Sequence, residues 1–326
     1  MSDKRIGVLL VQESHLSAER LASVQSLYER NLTIFSSAHP SAPSQKEGVA
    51  VIINKKLVSS EGATAKTVVE GRAIQVSLKC MGDDRIHLLC IYAPTSDGVE
   101  ERRRFFNKVQ SCNNSVAKPD LMVGDFNNVE DAIDRLPINE SADMSVDDLD
   151  QLKLSLGLML VDGWRETNPT SRGYTFHRGQ GENATFSRLD RIYVRDPAFR
   201  LAREWKIAES GIKTDHLMVA VQLTTVNAPK AGRGRPIFPL SLIRDKKLAE
   251  AMKNRGMKAM TNLESFETGA TPRSESDNPQ KILWNLKKEW LAMARDREKE
   301  VISKLLAEIK QREDELKRLQ QIPDMD

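Results

Sequence analysis

The feature that most constrains the fold of this chain is an alternation of short apolar segments with amphipathic ones over its first two-thirds. Several apolar segments are nearly continuous in valine, isoleucine and leucine, which is typical of strands covered on both faces. Strands interleaved with helices indicate a layered α/β domain. The predicted strands are 6–13, 48–54, 73–78, 87–93, 121–126, 188–194 and 217–223, and the predicted helices are 17–30, 100–112 and 145–157.

The last third of the chain carries a different pattern. Residues 227–240 combine glycine, proline and arginine, a composition typical of a linker. No strand pattern returns beyond it: residues 242–262 predict a helix, and the stretch from Lys281 to Gln321 predicts one long helix. We therefore expect three regions: a folded domain over 1–226, the linker over 227–240 and a helical extension over 241–326.

The long C-terminal helix repeats apolar residues at alternating three- and four-residue spacing. Arg312 interrupts the repeat, which extends over about three heptads and is short for a coiled coil. Two interpretations stay open, because such a helix can pair with a protein partner or lie on the protein's own surface. The repeat consists of Ile302, Leu305, Ile309, Leu316 and Leu319.

Composition excludes several classes of protein. The formal net charge of +3 over 326 residues permits a nucleic-acid partner without requiring one. Cys80, Cys90 and Cys112 have no CxxC spacing, so neither a disulfide framework nor a zinc site is indicated. No apolar run approaches the roughly 20 residues that span a bilayer, and the N-terminal segment is too short and too polar for a signal peptide. We expect a soluble intracellular protein, nuclear or cytoplasmic, that is not secreted and has no membrane partner.

An acid and an amide follow the predicted strand in LMVGDFNNV (121–129). Alternate side chains of an extended chain point the same way, so Asp125 and Asn127 could share one face. The ordinary alternative is a turn, because Gly, Asp and Asn are common turn residues.

Further polar residues lie at the edges of other predicted strands. Glu13 closes the first strand, Asp190 lies in a strand of β-forming residues, and Asp215 and His216 open the last strand. Each of these residues could instead have a purely structural role, such as a turn cap or, for Asp190, an ion pair with the neighbouring Arg188 or Arg191. Carboxylates gathered at one edge would repel one another without a divalent cation, and oxygen ligands suit Mg²⁺ or Mn²⁺. Such a site with an adjacent histidine is suited to hydrolysing a phosphodiester.

Six motifs in order resemble those of the endonuclease/exonuclease/phosphatase superfamily: QESH, GVAVII, IYAPT, GDFNN, SRLD and TDH. The resemblance covers roughly residues 5 to 225. It implies a four-layer α/β sandwich, in which two packed mixed β-sheets are flanked by helices. Here the helical extension would follow that sandwich.

The resemblance also implies a role for each matching residue. Glu13 would bind the metal directly, and Asp215 would support it directly or through water. Tyr92 would contact the phosphate. Asp125 would position or deprotonate the attacking water, and Asn127 would help to orient it. The remaining pair is Asp190, which would hold the imidazole, and His216, which would stabilise charge on the phosphate.

The segment DGWRETNPTSRGYTF (162–176) resembles the endonuclease domains of non-LTR retrotransposons of the fungal type. This implies a DNA-nicking endonuclease that contacts the phosphate backbone of DNA.

The sequence departs from the family's pattern in two places. The family's first strand, which carries a metal-binding asparagine, has no counterpart before residues 6–13, so we expect an exposed strand edge. The Tyr-x-Asp-Asp motif of a reverse transcriptase is also absent.

Two other functions remain open at this point. The chain could be a catalytically impaired remnant that only binds nucleic acid or a protein partner. The basic residues 101–104 and 230–235 could contact nucleic acid, but a solvated helix face and a solvated linker explain them as well. A phosphatase or phosphodiesterase for small substrates could use the same fold.

Overall fold

The computed structural model describes residues 1, 4–80, 84–95, 98–113, 117–138, 143–156, 161–179, 183–224 and 238–321. The chain divides into two compact units, Met1–Pro229 and Lys230–Pro323. The predicted linker lies mostly outside the described residues, and the division into three regions stays a prediction.

The first unit contains strands and helices in alternation, as predicted. The strands are β1 (Val8–Gln12), β2 (Leu32–Ser37), β3 (Val49–Asn54), β4 (Thr64–Val69), β5 (Ala73–Lys79), β6 (Arg85–Tyr92), β7 (Leu121–Asp125), β8 (Arg135–Leu136), β9 (Val161–Asp162), β10 (Phe176–Arg178), β11 (Thr185–Ser187), β12 (Asp190–Val194), β13 (Ala202–Ala208) and β14 (Met218–Leu223). The helices are α1 (Ala18–Tyr28), α2 (Val99–Asn113), α3 (Ser145–Ser155), α4 (Gly163–Thr167) and α5 (Asp196–Phe199).

A six-stranded mixed sheet with the order β4-β5-β6-β7-β12-β9 is the centre of this unit. Strands β6 and β7 are parallel, and β12 runs antiparallel to β7. Gly124 permits the close approach of β6, because a Cβ atom there would lie 1.8 Å from the carbonyl oxygen of Ile91. Its φ of 152° is also one that other residues rarely adopt.

One face of the six-stranded sheet is covered by α2 and α3. Phe106 and Val109 of α2 and Leu149 and Leu152 of α3 are fully buried in one cluster with the sheet. Burying each such side chain contributes roughly 1.5–3 kcal/mol relative to leaving it in water.

The opposite face packs against a second strand layer. This layer consists of a β1-β3-β2 sheet and a β13-β14 pair, both antiparallel. The core between the layers contains Val49, Val51 and Ile53 of β3, packed with Leu88 and other residues of the large sheet. Helix α1 packs beside β2. The predicted α/β sandwich of packed sheets flanked by helices is confirmed. Among the described strands, β1 pairs with β3 alone.

A smaller sheet with the order β10-β11-β8 stands beside these layers. Its residue Phe176 also forms an isolated antiparallel bridge with His216. The small sheet therefore connects the chain before β14 to the segment that precedes β12.

The described part of the second unit contains a short 3₁₀-helix (Leu240–Leu242) and two α-helices, α6 (Lys246–Glu267) and α7 (Pro279–Gln321). Both helices predicted after the linker are therefore confirmed. Leu248 of α6 and Ala294 of α7 are buried against each other's helix. Trp290 donates a hydrogen bond to the carbonyl oxygen of Met252, 3.0 Å away.

The apolar repeat in the second half of α7 is exposed where it is described. Leu305, Ile309 and Leu316 are 57%, 44% and 56% exposed, whereas the side chains of Ile302 and Leu319 lie outside the described residues. Pairing of this helix as a coiled coil stays a prediction.

No helix in the described parts of the chain is long and apolar enough to cross a membrane. Cys80, Cys90 and Cys112, all three of them described, form no disulfide. Cys90 is instead buried in the core between the strand layers.

Candidate active site

Three adjacent strands of the six-stranded sheet end at one point. Asp125, the last residue of β7, is paired with Tyr92 at the end of β6 and with Asp190 at the start of β12. His216, just before β14, approaches the same sheet edge. The topology therefore brings together residues that are far apart in the sequence.

Asp125, Asp190 and His216 form a compact cluster. One ligand atom from each lies within 4.8 Å of the other two. His216 Nδ1 lies 2.8 Å from Asp190 Oδ2, and Asp125 is only 5% exposed. The cluster thus combines one buried acid with a carboxylate–imidazole pair.

Asn127 lies beside Asp125, but a turn brings the two residues together. Strand β7 ends at Asp125, and Asn127 has a φ of 49°. Its backbone N–H donates to Asp125 Oδ1 at 2.9 Å, and its Nδ2 donates to Asp125 Oδ2 at 3.2 Å and to the carbonyl oxygen of Ala93 at 2.9 Å. The two side chains meet, but the expected extended backbone is wrong, because the chain leaves the strand conformation at Asn127 and an Asx hydrogen bond holds the two residues together.

The electrostatics of the cluster reflect burial and proximity. Burial and the charge of Asp190 raise the pKa of Asp125 to about 7. Burial alone would lower the pKa of His216, but its hydrogen bond to Asp190 and the nearby carboxylates raise it to about 9. The imidazole is thus held in its charged form by the acids around it.

Glu13 and Tyr92 lie at the edge of the cluster. The Tyr92 hydroxyl donates a short hydrogen bond to Glu13 Oε1, and burial together with this bond raises the tyrosine pKa. The guanidinium of Arg72 stands 5.2 Å from the centre of the Tyr92 ring. Glu13 is exposed and has a φ of 49°, a conformation that is uncommon for glutamate.

Asp215 lies next to His216 in the chain, and its side chain is exposed. It is not one of the three clustered residues. Its charge still contributes to the raised pKa of His216. The structure thus brings four of the seven predicted site residues together: Asp125, Asp190 and His216 in the cluster, and Asn127 hydrogen-bonded to Asp125. Tyr92 and Glu13 contact each other beside this group, and Asp215 lies next to it.

Sequence reasoning missed the role of Thr175. Its buried hydroxyl accepts hydrogen bonds from the backbone N–H groups of Leu189 and Asp190, each at 3.0 Å. Its carbonyl oxygen accepts a hydrogen bond from Leu217 at 2.7 Å. Thr175 therefore fixes the start of β12 relative to the residue that follows His216. The only sequence signal at this position is its place in the segment DGWRETNPTSRGYTF (162–176).

The ring of Phe176 packs against the imidazole of His216, with a centroid distance of 4.9 Å. This contact limits the orientations that the imidazole can adopt. Phe176 is the last residue of the same segment, 162–176.

The arginines beside Asp190 in the sequence bind other partners. Arg188 is buried and forms a two-point ion pair with Asp134, and Arg191 is buried and donates to Asn128 Oδ1 at 2.9 Å. The alternative interpretation of Asp190 as an ion-pair partner of these arginines therefore does not describe the structure. Through Asp134 and Asn128, the two arginines instead connect the chain that follows β7 to the start of β12.

The donor set fits a divalent cation. Asp125, Asp190 and the nearby Glu13 supply carboxylate oxygens, and one imidazolium does not offset their charge. Oxygen donors of this kind suit Mg²⁺ or Mn²⁺.

Three solved structures from other organisms share this fold. The endonuclease domain of TRAS1, a telomere-specific non-LTR retrotransposon, aligns with a TM-score of 0.50 and 15% identity over 69% of this chain and 89% of that domain. The AP endonuclease LMAP from Leishmania major aligns with a TM-score of 0.53 and 17% identity over 67% of this chain and 78% of the other. The 3′ phosphatase NExo from Neisseria, bound to a product DNA hairpin, aligns with a TM-score of 0.51 and 16% identity over 69% of this chain and 91% of the other. At these identities the likeness shows the fold.

A sequence relative comes from Xenopus laevis. The transposon TX1 uncharacterized 149 kDa protein is 29% identical over 205 residues, which is 61% of this chain and 15% of the relative. This chain thus spans less than a sixth of the length of that protein. The profile of the Endonuclease/Exonuclease/phosphatase family matches residues 2–216. The chain belongs to the endonuclease/exonuclease/phosphatase family.

Proposed function

We propose that this chain is an endonuclease, dependent on a divalent metal, that nicks one strand of DNA and derives from a non-LTR retrotransposon. The observation that carries the proposal is the cluster of Asp125, Asp190 and His216 at the ends of adjacent strands. Family membership supports phosphodiester hydrolysis in general. The transposon relative and the likeness to a retrotransposon endonuclease domain favour DNA as the substrate.

Mg²⁺ is the proposed ion, with Mn²⁺ as a substitute. Glu13 would hold it directly, and Asp215 would hold it directly or through water. When bound, the ion neutralises negative charge that develops on the phosphate. The Tyr92 hydroxyl would fix the Glu13 carboxylate and contact the phosphate.

Asp125 would accept a proton from the attacking water. The two hydrogen bonds from Asn127 orient its carboxylate, which supports this assignment. The water oxygen forms a bond to phosphorus, its proton passes to Asp125, and the bond from phosphorus to the leaving oxygen of the DNA strand breaks.

His216 would donate a hydrogen bond to a phosphate oxygen. Its Nδ1 is held by Asp190, which would leave Nε2 for the substrate. Its positive charge, favoured by the surrounding acids, would stabilise the phosphate as negative charge accumulates. The two residues would thus act as one unit.

The test is conversion of supercoiled plasmid to open circle by the purified chain, with Mg²⁺, Mn²⁺ or EDTA. The proposal expects nicking with either metal and none in EDTA. Release of phosphate from a soluble ester without plasmid nicking would instead identify a small-substrate phosphatase. Salt-sensitive DNA binding without cleavage would identify a binding protein, and either result would contradict the proposal.

A further inference from the structure

The chain forms a bulge at Glu13, just after β1 ends. Gln12 and Val49 are the last pair in the register of β1 with β3. Beyond this pair, the backbone N–H of Ser14 donates to the carbonyl oxygen of Gly48 at 3.0 Å. Two residues on one side, Glu13 and Ser14, therefore lie opposite one residue on the other. A bulge of this kind bends the strand and redirects the extra side chain, which here is the Glu13 carboxylate.

The backbone on both sides of the bulge adopts conformations that side chains disfavour. Glu13 and His15 have φ values of 49° and 47°. The facing residues, Glu47 and Gly48, have φ values of 55° and 98°. The N–H of His15 donates to the carbonyl oxygen of Glu47 at 3.3 Å. Because residues with positive φ persist only where surrounding contacts hold them, further contacts must stabilise this part of the chain.

The side chain of Glu47 makes one such contact. Its Oε1 accepts a hydrogen bond of 2.8 Å from Arg72 Nη2, and the two side chains are only 20% and 21% exposed. Gly71 provides the space for this carboxylate, because a Cβ atom there would lie 3.0 Å from Glu47 Oε2. The ion pair is therefore enclosed rather than solvated, and it is less screened than a pair on the open surface.

Arg72 connects Glu47 to Tyr92. Its Nη1 donates to the carbonyl oxygen of Tyr92 at 3.3 Å, and its guanidinium lies 5.2 Å from the centre of the Tyr92 ring. The backbone N–H of Tyr92 also donates to the carbonyl oxygen of Arg72 at 2.8 Å. Arg72 thus contacts both the backbone and the ring of Tyr92, whose hydroxyl donates to Glu13 Oε1.

These contacts close a ring around the bulge. On one side, the carbonyl oxygen of Glu47 holds the chain that follows Glu13. On the other side, the Glu47 carboxylate holds Arg72, which in turn contacts Tyr92. The Tyr92 hydroxyl then returns to the Glu13 carboxylate. Glu47 is the residue that takes part on both sides of this ring.

We propose that Glu47 is a positioning residue for the candidate metal site. Its carboxylate acts through Arg72 and the Tyr92 hydroxyl, and it thereby sets the affinity of the Glu13 carboxylate for a divalent cation. The inference rests on the proposed role of Glu13 as a metal ligand. Glu47 would not bind the ion itself, because its Oε1 is bonded to Arg72.

The first test measures binding of Mn²⁺ to the full chain without DNA, from the electron paramagnetic resonance signal of the free ion. Glu47→Gln removes the charge of the side chain but keeps its shape, and it should weaken the Mn²⁺ affinity about 10-fold. Glu70→Gln is the matched control, because Glu70 is exposed and only two positions before Arg72. This control should bind Mn²⁺ as tightly as the unaltered chain.

A double variant separates positioning from a general structural effect. Because Glu47 acts through the Tyr92 hydroxyl, Glu47→Gln combined with Tyr92→Phe should bind Mn²⁺ no more weakly than Tyr92→Phe alone. Two independent structural defects would instead add their losses.

A second measurement requires no metal. The amides of Ser14 and His15 donate to the chain at residues 47–48, so their hydrogen exchange reports on the bulge. Exchange of both amides should become about 10-fold faster in Glu47→Gln and in Tyr92→Phe, because each change opens the ring. It should stay unchanged in Glu70→Gln.

Three results would overturn the inference while leaving the proposed function intact. The first is an unaltered Mn²⁺ affinity in Glu47→Gln, and the second is additive losses in the double variant. The third is unaltered exchange of Ser14 and His15 in both single variants. An unaltered chain that binds no Mn²⁺ would contradict the metal ion of the proposed function and this inference together, so the two failures are distinguishable.

Discussion

His216 Nδ1 and Asp190 Oδ2 lie 2.8 Å apart although 26 positions separate the two residues in the chain. Thr175 connects their surroundings, because its hydroxyl accepts from the backbone of Asp190 and its carbonyl oxygen accepts from Leu217. The pair is therefore fixed by backbone contacts that do not depend on its own charges. Removing one of those charges consequently tests chemistry rather than folding.

Asp190→Asn should lower the nicking rate about 10²- to 10⁴-fold while the fold is retained, because the amide keeps the shape of the side chain but not its charge. Single-turnover nicking and circular dichroism measure the two effects. Asp131→Asn is the matched control, since Asp131 is exposed and its side chain makes no capping hydrogen bond. A variant at position 190 with the rate of the control would show that the pair has no part in catalysis.

Tyr92→Phe should weaken the apparent affinity for Mg²⁺ about 10- to 100-fold, because Glu13 loses the hydroxyl that orients it. The nicking rate measured across a range of Mg²⁺ concentrations gives this affinity. Tyr28→Phe, at a position that is 45% exposed, should leave it unchanged. An unaltered Mg²⁺ dependence in the Tyr92 variant would show that the hydrogen bond from Tyr92 to Glu13 does not contribute to metal binding.

Gly124→Ala should lower the free energy of unfolding by about 3 kcal/mol or prevent folding, because the new Cβ atom would overlap the backbone of Ile91. Denaturant titration measures the loss. Gly62→Ala is the control: Gly62 has a φ of 64° but no atom within 4 Å of the added Cβ, so about 1 kcal/mol is expected. Equal losses would mean that β6 and β7 do not approach as closely as described.

Glu130 should make stability depend on pH in the acid range. Burial would raise its pKa, but the charges of Arg191 and Lys153 outweigh burial and lower it to about 2, from an ordinary value of 4.5. A lowered pKa stabilises the folded state above the unfolded value, and this stabilisation is lost as pH falls from about 4.5 towards 2. The contribution is at most about 3 kcal/mol.

Urea unfolding at several pH values compares Glu130→Gln with the unaltered chain. The variant should be less stable at pH 7, and the difference should shrink below about pH 4.5. Glu61→Gln, at an exposed position, should follow the unaltered chain throughout. A difference that stays constant with pH would exclude this ion-pair network as its source.

The central strands were predictable from sequence because both of their faces are buried. Residues of β3 and β6 are nearly all apolar, so their runs stand out. Strand β4 was missed because most of its side chains are exposed and its pattern TAKTVV carries no clear apolar face. Strand β13 was missed for a similar reason, since its charged residues interrupt the alternation.

The acids of the site were predictable as residue types at strand edges, but their contacts were not. Asn127 reaches Asp125 through a turn with positive φ, which the assumption of an extended chain does not allow. Thr175 was invisible as a connecting residue because its partners, Asp190 and Leu217, are distant in sequence. Tertiary pairing, rather than local pattern, determines both contacts.

The most direct test of the central claim is the single-turnover rate of plasmid nicking in Mg²⁺ for the unaltered chain and for Asp125→Ala. Asp120→Ala is the control, because Asp120 precedes the same strand and pairs with Arg195 away from the cluster. The account predicts metal-dependent nicking that falls by several orders of magnitude in the Asp125 variant and persists in the control. Nicking that continues unchanged in the Asp125 variant would contradict it.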